Sequence, residues 1–166
     1  MNNIILSLVV FLFLAGPAPV GAEPLDPVEA DSRCPVCGMF VAKYDVWITQ
    51  IRYDEKVVLS FDGVKDMMAF YHSPASFGGR DQKDIKEIWV KDYYSLKWID
   101  GRQAFFVLGS DVHGPMGHEF VPFVAKAAAE AFLIDHHGRQ VMSFAEITPA
   151  QVEKLRVGNK MKNMKK

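Results

Sequence analysis

The chain has 166 residues, of which 49% are hydrophobic and 23% are charged, a composition typical of a folded globular protein and unlike that of a disordered one. Nineteen basic and twenty acidic side chains leave a formal net charge of −1. Because no large positive field would attract polyanions, nucleic acids and anionic membrane surfaces are excluded as principal partners.

The N-terminus predicts an export signal. Residues Ile4 to Ala15 are almost entirely apolar but too few to cross a bilayer as a helix, as in the hydrophobic region of a signal peptide. Val20 and Ala22 are the small residues that a cleavage site after Ala22 requires. We therefore predict a signal peptide over residues 1–22 and a periplasmic protein. The alternative is an uncleaved signal, which would be its only association with a membrane.

The first half of the mature chain predicts two strands followed by a helix. A polar linker over residues 23–32 leads into residues 33–84, where β-branched and aromatic residues predict strands over Tyr44–Tyr53 and Val57–Phe61. Asp62 is suited to cap a helix that follows. The apolar face of that helix has the spacing i, i+3, i+4, i+7: Val64, Met67, Met68 and Tyr71.

The second half, residues 85–158, repeats this pattern. It begins with a strand over Glu87–Tyr94 that completes the first β-β-α-β unit. Three further strands are predicted, over Arg102–Ser110, His118–Phe123 and Arg139–Phe144. The alanine-rich segment Lys126–His136 predicts a helix that ends before Gly138, and a last helix runs from Pro149 through Leu155. The basic tail over residues 159–166 is expected to fray.

These elements predict an α+β fold of two ββαβ units packed as a pseudo-repeat. A competing alignment, offset by 83 residues, would match Phe40–Lys43 with Phe123–Lys126. It would place the strand over Tyr44–Tyr53 on the alanine-rich helix, so the helix propensity of alanine argues against it.

Cys34 and Cys37 are the only cysteines in the chain, and Met39 follows Cys37 across Gly38. Two thiols and a thioether form a soft donor set of the kind that selects Cu(I). A structural zinc site needs two further ligands. A thioredoxin-like dithiol needs its second cysteine in the first turn of a helix, whereas here Cys37 is followed by Gly38 and a predicted strand. Metal binding is therefore favoured, while a redox pair and a plain disulfide stay open.

A second soft donor lies in the other half of the chain. Met116 is placed in a tight turn, Gly114–Gly117, rather than on a core face, and a thioether binds Cu(I) but is of little use to zinc. His118, just after the turn, is a candidate further metal ligand, although a surface histidine is the simpler interpretation. No catalytic triad, paired acid and base carboxylates or phosphate-binding glycine loop is present, so no catalytic residues are predicted.

Four motifs together resemble the NosL family, accessory copper-binding proteins of nitrous oxide reductase. They are CPVCGMF at residues 34–40, FDGVKDM at 61–67, DYY at 92–94 and GPMG at 114–117. The resemblance covers Arg33 to about Ile147. It implies a fold similar to that of the organomercurial lyase MerB. It also implies one periplasmic Cu(I), delivered to apo nitrous oxide reductase and its maturation machinery to assemble the copper-sulfide centre.

The resemblance also implies which residues bind the metal. Cys34, Cys37, Met39 and Met116 match the motif positions, with Cys34 and Met116 first. Many members of the family are lipoproteins with a lipobox cysteine; here Pro17 stands after Leu14-Ala15-Gly16, so no lipid anchor is expected.

Two further expectations concern the chemistry of the cysteines. Arg33 and Lys43 flank the loop and are expected to lower the thiol pKa. The rival to a non-enzymatic copper chaperone is a periplasmic thiol-disulfide oxidoreductase that uses Cys34 and Cys37. Lyase chemistry on organometallic substrates would rest on fold analogy alone.

Overall fold

A computed structural model of the chain describes residues 23–163, with side chains described through Val157. The predicted signal peptide and the end of the predicted tail lie outside the described residues. The first unit forms a four-stranded antiparallel sheet of order β2-β1-β3-β4 with one helix. Its elements are β1 (Thr49–Arg52), β2 (Val58–Phe61), α1 (Val64–His72), β3 (Glu87–Lys91) and β4 (Trp98–Asp100).

The second unit forms a three-stranded antiparallel sheet of order β6-β5-β7. Its elements are β5 (Phe105–Gly114), β6 (Gly117–Phe123), α2 (Lys126–Asp135), β7 (Gln140–Ser143) and the C-terminal α3 (Pro149–Asn163).

The two sheets share one pairing pattern. Thr49 of β1 is paired with Phe61 and Val90, and Phe105 of β5 is paired in the same way with Phe123 and Ser143. In both sheets the first strand of the unit is central, flanked by the second strand and the strand that follows the helix. The predicted α+β fold of two ββαβ units is therefore confirmed, with β4 added to the first unit.

Helix α1 lies at the centre of the molecule. It contacts β1 and β2 of its own sheet, β6 of the other sheet and α3. This position explains why every residue from Val64 to Phe70 is buried, including the charged Lys65 and Asp66. Charged groups at the first turn of such a helix need partners inside the protein, because burial of an unpaired charge is costly.

The predicted strand over Tyr44–Tyr53 is wrong in its first half. Residues Val41–Trp47 form a 3-10 helix, interrupted at Tyr44, and the strand begins only at Thr49. The turn places the carboxylate of Asp45 2.6 Å from the Nζ atom of Lys91, whose side chain is almost fully buried. A tertiary ion pair thus overrides a local preference for strand.

Other boundaries differ for local reasons. Strand β4 was not predicted, because three residues after a turn carry too little pattern to stand out. At the end of α2, His137 rather than Gly138 has the left-handed conformation. Gly138 serves close packing instead, since an added Cβ would lie 2.7 Å from Cγ1 of Val107. Helix α3 continues past Leu155 to Asn163, into the segment expected to fray.

The residues before the cysteine loop are bonded to the first sheet. The amide of Leu25 donates to the side chain of Gln50, which donates back to the carbonyl of Leu25. The indole of Trp98 donates to Asp26 at 2.8 Å. These bonds fix the direction from which the chain enters the loop at Arg33.

Asp92 joins the two sheets. One of its oxygens accepts from the amide and hydroxyl of Ser95, and the other accepts from the amide of Val124 at the end of β6. Burial alone would raise the pKa of Asp92, but these hydrogen bonds hold it below its ordinary value. The carboxylate is therefore charged at neutral pH and bonded on both sides.

We expect Asp92→Ala to lower the free energy of unfolding by about 2 kcal/mol, because the amides of Ser95 and Val124 lose the buried carboxylate that accepts their hydrogen bonds. Urea denaturation of the wild type, of Asp92→Ala and of the control Glu55→Ala, which removes an exposed acid, would measure the difference. Equal stability of Asp92→Ala and the wild type would show that water replaces the carboxylate.

Candidate metal site

The cysteine loop is a tight backbone hairpin. Arg33 and Phe40 form an antiparallel bridge, the amide of Cys34 donates to the carbonyl of Met39, and the amide of Gly38 donates to the carbonyl of Cys34, both at 2.9 Å. Gly38 has a φ of 77°, a conformation that favours glycine, and this is why the CxxC motif is followed by glycine. The loop therefore holds its donors in place before any ligand binds.

Two carboxylates face the two thiols. The Sγ atom of Cys34 is 3.8 Å from Oδ2 of Asp66, and that of Cys37 is 3.3 Å from Oδ1 of Asp62. The four ligand atoms lie within 4.8 Å of one another, and only Cys37 is not fully buried. Both cysteines are free thiols in this structure. The described residues thus contain a compact cluster of two sulfur and two oxygen donors.

Asp62 and Asp66 were not predicted as site residues. The prediction that Asp62 caps α1 is wrong: Gly63 is the N-cap residue, and it makes no side-chain capping bond. The amide of Lys65 instead bonds Oε1 of Glu119, at 2.5 Å, so a residue of the second unit caps the helix of the first. The feature of the sequence that could have indicated them is their spacing: the two aspartates are four residues apart, which places them on one side of the helix start.

The surroundings of Cys37 favour its protonated form. The hydrogen bond between Cys34 and Cys37, together with burial, raises the pKa of Cys37 well above its ordinary value. Burial also raises the pKa of Asp66. A bound metal cation would lower the pKa of both groups, because it stabilises the thiolate and the carboxylate directly.

The expectation that Arg33 and Lys43 lower the thiol pKa is not supported. The guanidinium of Arg33 lies 3.8 Å from the ring centre of Phe40 and donates to the carbonyl of Gly38. The ammonium of Lys43 lies 5.1 Å from the same ring. Both cations therefore hold the outer side of the loop and do not act as counterions of the thiols.

The turn that carries Met116 is docked on α1. The side chain of Lys65 is almost fully buried, and its ammonium donates to the carbonyls of Met116 and His118 at 2.9 and 3.1 Å. Lys65 precedes Asp66, which contacts Cys34. The cysteine loop and the methionine turn, 75 residues or more apart in sequence, therefore approach consecutive residues of the same helical turn.

The predicted ligands stand as follows. Cys34 and Cys37 lie together in the cluster with the two aspartates. Met39 closes the same loop through its carbonyl, and Met116 lies in the docked turn. His118 is the cross-strand partner of His113, and the centres of their rings are 4.5 Å apart. Coordination of a metal by any of these side chains remains a prediction.

Glu119 connects these parts at the centre of the protein. It is fully buried, and burial raises its pKa to about 8 although the charge of Lys65 opposes the shift. Its Oε1 atom accepts from the amides of Lys65 and Phe120. The first turn of α1 thus has three partners: the thiols, the methionine turn and this carboxyl group.

Sequence comparisons with known proteins give three matches. A sequence model of the NosL family matches residues 24–152. A protein of Achromobacter cycloclastes named copper-binding lipoprotein NosL is 33% identical over 105 residues, which cover 57% of this chain and 51% of that protein. One of the same name from Stutzerimonas stutzeri is 26% identical over 141 residues, 79% of this chain and 70% of its own. The chain thus spans about half the length of the first of these relatives.

A solved structure shares the fold. The crystal structure of the copper chaperone NosL from Shewanella denitrificans superposes with a TM-score of 0.67 at 25% sequence identity, covering 78% of this chain and 99% of that chain.

Proposed function

We propose that this chain, which belongs to the NosL family, is a copper-binding protein that holds one Cu(I) between its cysteine loop and its methionine turn and passes the ion on without catalysing a reaction. The observation that carries the proposal is the approach of both loops to the first turn of α1. Cys34 contacts Asp66, and the backbone of Met116 is bonded to Lys65.

The ligands follow from the chemistry of the ion. Cu(I) prefers thiolate and thioether sulfur to oxygen. We assign Cys34 and Met116 as the principal ligands, with Cys37, Met39 and His118 as further donors. A site built from one thiolate and one thioether leaves the ion accessible, so an acceptor protein can replace the ligands one at a time. The preformed loop of Cys34 keeps the ordering cost of binding low.

The acceptor that we propose is apo nitrous oxide reductase with its maturation machinery, as the family resemblance implies. The copper would enter the copper-sulfide centre of that enzyme. The relatives from Achromobacter and Stutzerimonas are named copper-binding lipoproteins, and the neighbour from Shewanella is titled a copper chaperone.

We also propose that the protein is exported and acts in the periplasm. Its relatives are named lipoproteins, which are exported proteins. Within residues 23–163, no helix has both the length and the apolar character needed to cross a membrane. The signal over residues 1–22 and the expectation of no lipid anchor remain predictions, as do the assignments of residues 23–32 as a linker, 33–84 and 85–158 as the two parts of the fold, and 159–166 as a tail.

The rival function is thiol-disulfide exchange by Cys34 and Cys37, which needs an accessible thiolate as the attacking species. It is disfavoured because Cys34 is buried and a carboxylate faces each of the two sulfur atoms. An insulin-reduction assay would test it. Turnover that is lost in Cys34→Ser but unchanged in Met116→Leu would favour the enzyme over the copper carrier.

Copper binding is tested by anaerobic titration of the reduced protein with Cu(I) against a competing chelator. We expect one site of sub-micromolar or higher affinity. Cys34→Ser should weaken it about 100-fold or more and Met116→Leu about tenfold or more, since each removes a ligand. Met142→Leu, a buried methionine of β7, is the matched control. Absence of a site, or equal affinities of Met116→Leu and Met142→Leu, would contradict the proposal.

A further inference from the structure

We infer that the outer face of helix α2 and the side chain of Tyr94 form the interface of a weak two-fold dimer, in which the partner is a second copy of this chain. The three most exposed large apolar side chains of residues 23–157 lie in this region. Ile134, in the last turn of α2, is 74% exposed, Val124, just before the helix, is 59% exposed, and Tyr94, beside the helix, is 55% exposed. Large apolar side chains that are exposed together mark interaction surfaces.

The second sheet separates α2 from the cysteine loop and the methionine turn. Phe106 and Phe120 pack in the core around α1, whereas their neighbours Val107 and Val121 pack with residues of α2. Neighbouring residues of a strand point to opposite faces of a sheet, so α1 covers one face and α2 the other. A partner on the outer face of α2 would therefore leave both loops of each chain accessible, and the dimer does not depend on copper binding.

The outer face of α2 is apolar at its centre. The inner face buries Ala129 and Phe132 against the sheet. Ala127, Ala131 and Ile134 follow one another at spacings of four and three residues, which places them together on the opposite, exposed face. Because alanine has the smallest apolar side chain, a second helix could approach this face closely at its centre.

The positions of these residues suit an antiparallel pairing of two α2 helices about a two-fold axis beside residue 129. Ala127 of one chain then faces the partner's Ala131, since each lies two residues from that position. Ile134 faces the partner's Val124, since each lies five residues from it. Small residues meet at the centre and large ones close both ends, as the self-complementary surface of a two-fold dimer requires.

The charges beside the apolar face are also self-complementary. The Nζ atom of Lys126 lies 3.5 Å from Oε1 of Glu130, and both side chains are exposed on one flank of the helix. In the antiparallel pairing this flank meets the same flank of the partner. Lys126 then lies within about 3 Å of the partner's Glu130 along the helix axis, so two ion pairs can form across the interface. Such pairs select the orientation of a complex more than they add affinity.

Tyr94 is the residue of the DYY motif that the fold buries least. Asp92 joins the two sheets, and Tyr93 packs against Trp47 and Phe132. The ring centre of Tyr94 lies 6.4 Å from that of Phe132, so the ring borders α2 while more than half of the side chain stays exposed. Tyrosine is enriched in protein interfaces, because its ring supplies apolar area and its hydroxyl can remain hydrated.

Sedimentation velocity of the reduced, metal-free protein tests the dimer. One helix face and one tyrosine cover less than the roughly 800 Å² per partner of a standard interface, so we expect a dissociation constant of about 10–100 μM. Ala131→Arg and Ile134→Glu should each weaken association about tenfold or more, because each places a charge on the apolar face. Val157→Glu, at an exposed valine of α3, is the matched control and should associate like the wild type.

A mixture of two charge variants tests the orientation. Lys126→Glu and Glu130→Lys should each associate less than the wild type, because like charges meet across the two-fold axis. An equimolar mixture should form a one-to-one dimer, since one variant then carries two acids on this flank and the other two bases. Thermal unfolding confirms that each variant is folded. A wild type that stays monomeric up to about 500 μM, or a dimer unchanged in the folded Ala131→Arg and Ile134→Glu, would overturn the interface. A mixture that associates no more than its components would overturn the antiparallel pairing.

Discussion

Replacing Lys65 with methionine is expected to lower the free energy of unfolding by about 3 kcal/mol at neutral pH. The buried ammonium makes two hydrogen bonds to backbone carbonyls, those of Met116 and His118, and hydrogen bonds to charged groups contribute about 1.5–3 kcal/mol each. Methionine has a similar length but no donor, so both carbonyls would lose their partner. Part of the loss is offset because a buried charge disappears.

Urea denaturation at constant pH would measure this change. Lys56→Met, at an exposed position of the β1–β2 turn, is the matched control and should be neutral. Lys65→Met should also weaken Cu(I) binding about tenfold, because the turn that carries Met116 is no longer fixed to α1. In the Met116→Leu background, Lys65→Met should have no further effect on copper affinity. Additive losses would show that Lys65 supports the fold and not the position of Met116.

The fold was largely predictable because its two halves repeat one pattern. The alanine-rich segment that becomes α2 and the apolar spacing of α1 both gave correct helices, since propensity and burial agree there. The wrong prediction of a strand over residues 44–47 arose where local propensity and tertiary contacts disagree. Val46 and Trp47 favour a strand, but residues 41–47 form a 3-10 helix in which Asp45 pairs with the buried ammonium of Lys91. No local pattern contains information about a partner 46 residues away.

The candidate site was predictable only in its sulfur donors. Cysteine and methionine are rare enough that their positions alone suggest copper chemistry. Asp62 and Asp66 are ordinary residues at a helix start, where a capping role is the common interpretation. Their contacts with the thiols depend on Glu119 taking over the cap, and that depends on how the second unit packs on the first.

Replacing Glu119 with glutamine is expected to remove the part of the pH dependence of stability between about pH 4.5 and pH 8 that this carboxyl group causes. In the unfolded chain this carboxyl has a pKa of 4.5, and in the folded protein burial raises it to about 8. Between these values the folded protein holds a proton that the unfolded chain has lost. Stability due to this group is therefore fully present below pH 4.5, falls as the pH rises, and is lost above pH 8.

The size of the effect follows from the difference of 3.5 units between the two pKa values, 8 and 4.5, which corresponds to roughly 5 kcal/mol. Glutamine keeps an oxygen that can accept from the amides of Lys65 and Phe120 but has no proton to lose. The wild type and Glu119→Gln should thus be similarly stable at pH 4.5, and the variant more stable by up to about 5 kcal/mol at pH 9.

Chemical denaturation of both metal-free proteins from pH 4.5 to pH 9 would measure the difference. His72 is the main group with an opposite effect: burial lowers its pKa, so its contribution to stability rises with pH. It is present in both proteins, and the difference between the two curves cancels it. Glu55→Gln, an exposed acid, should follow the wild type throughout. Parallel curves for the wild type and Glu119→Gln would mean that Glu119 stays ionised in the fold, as a full ion pair with Lys65 would require.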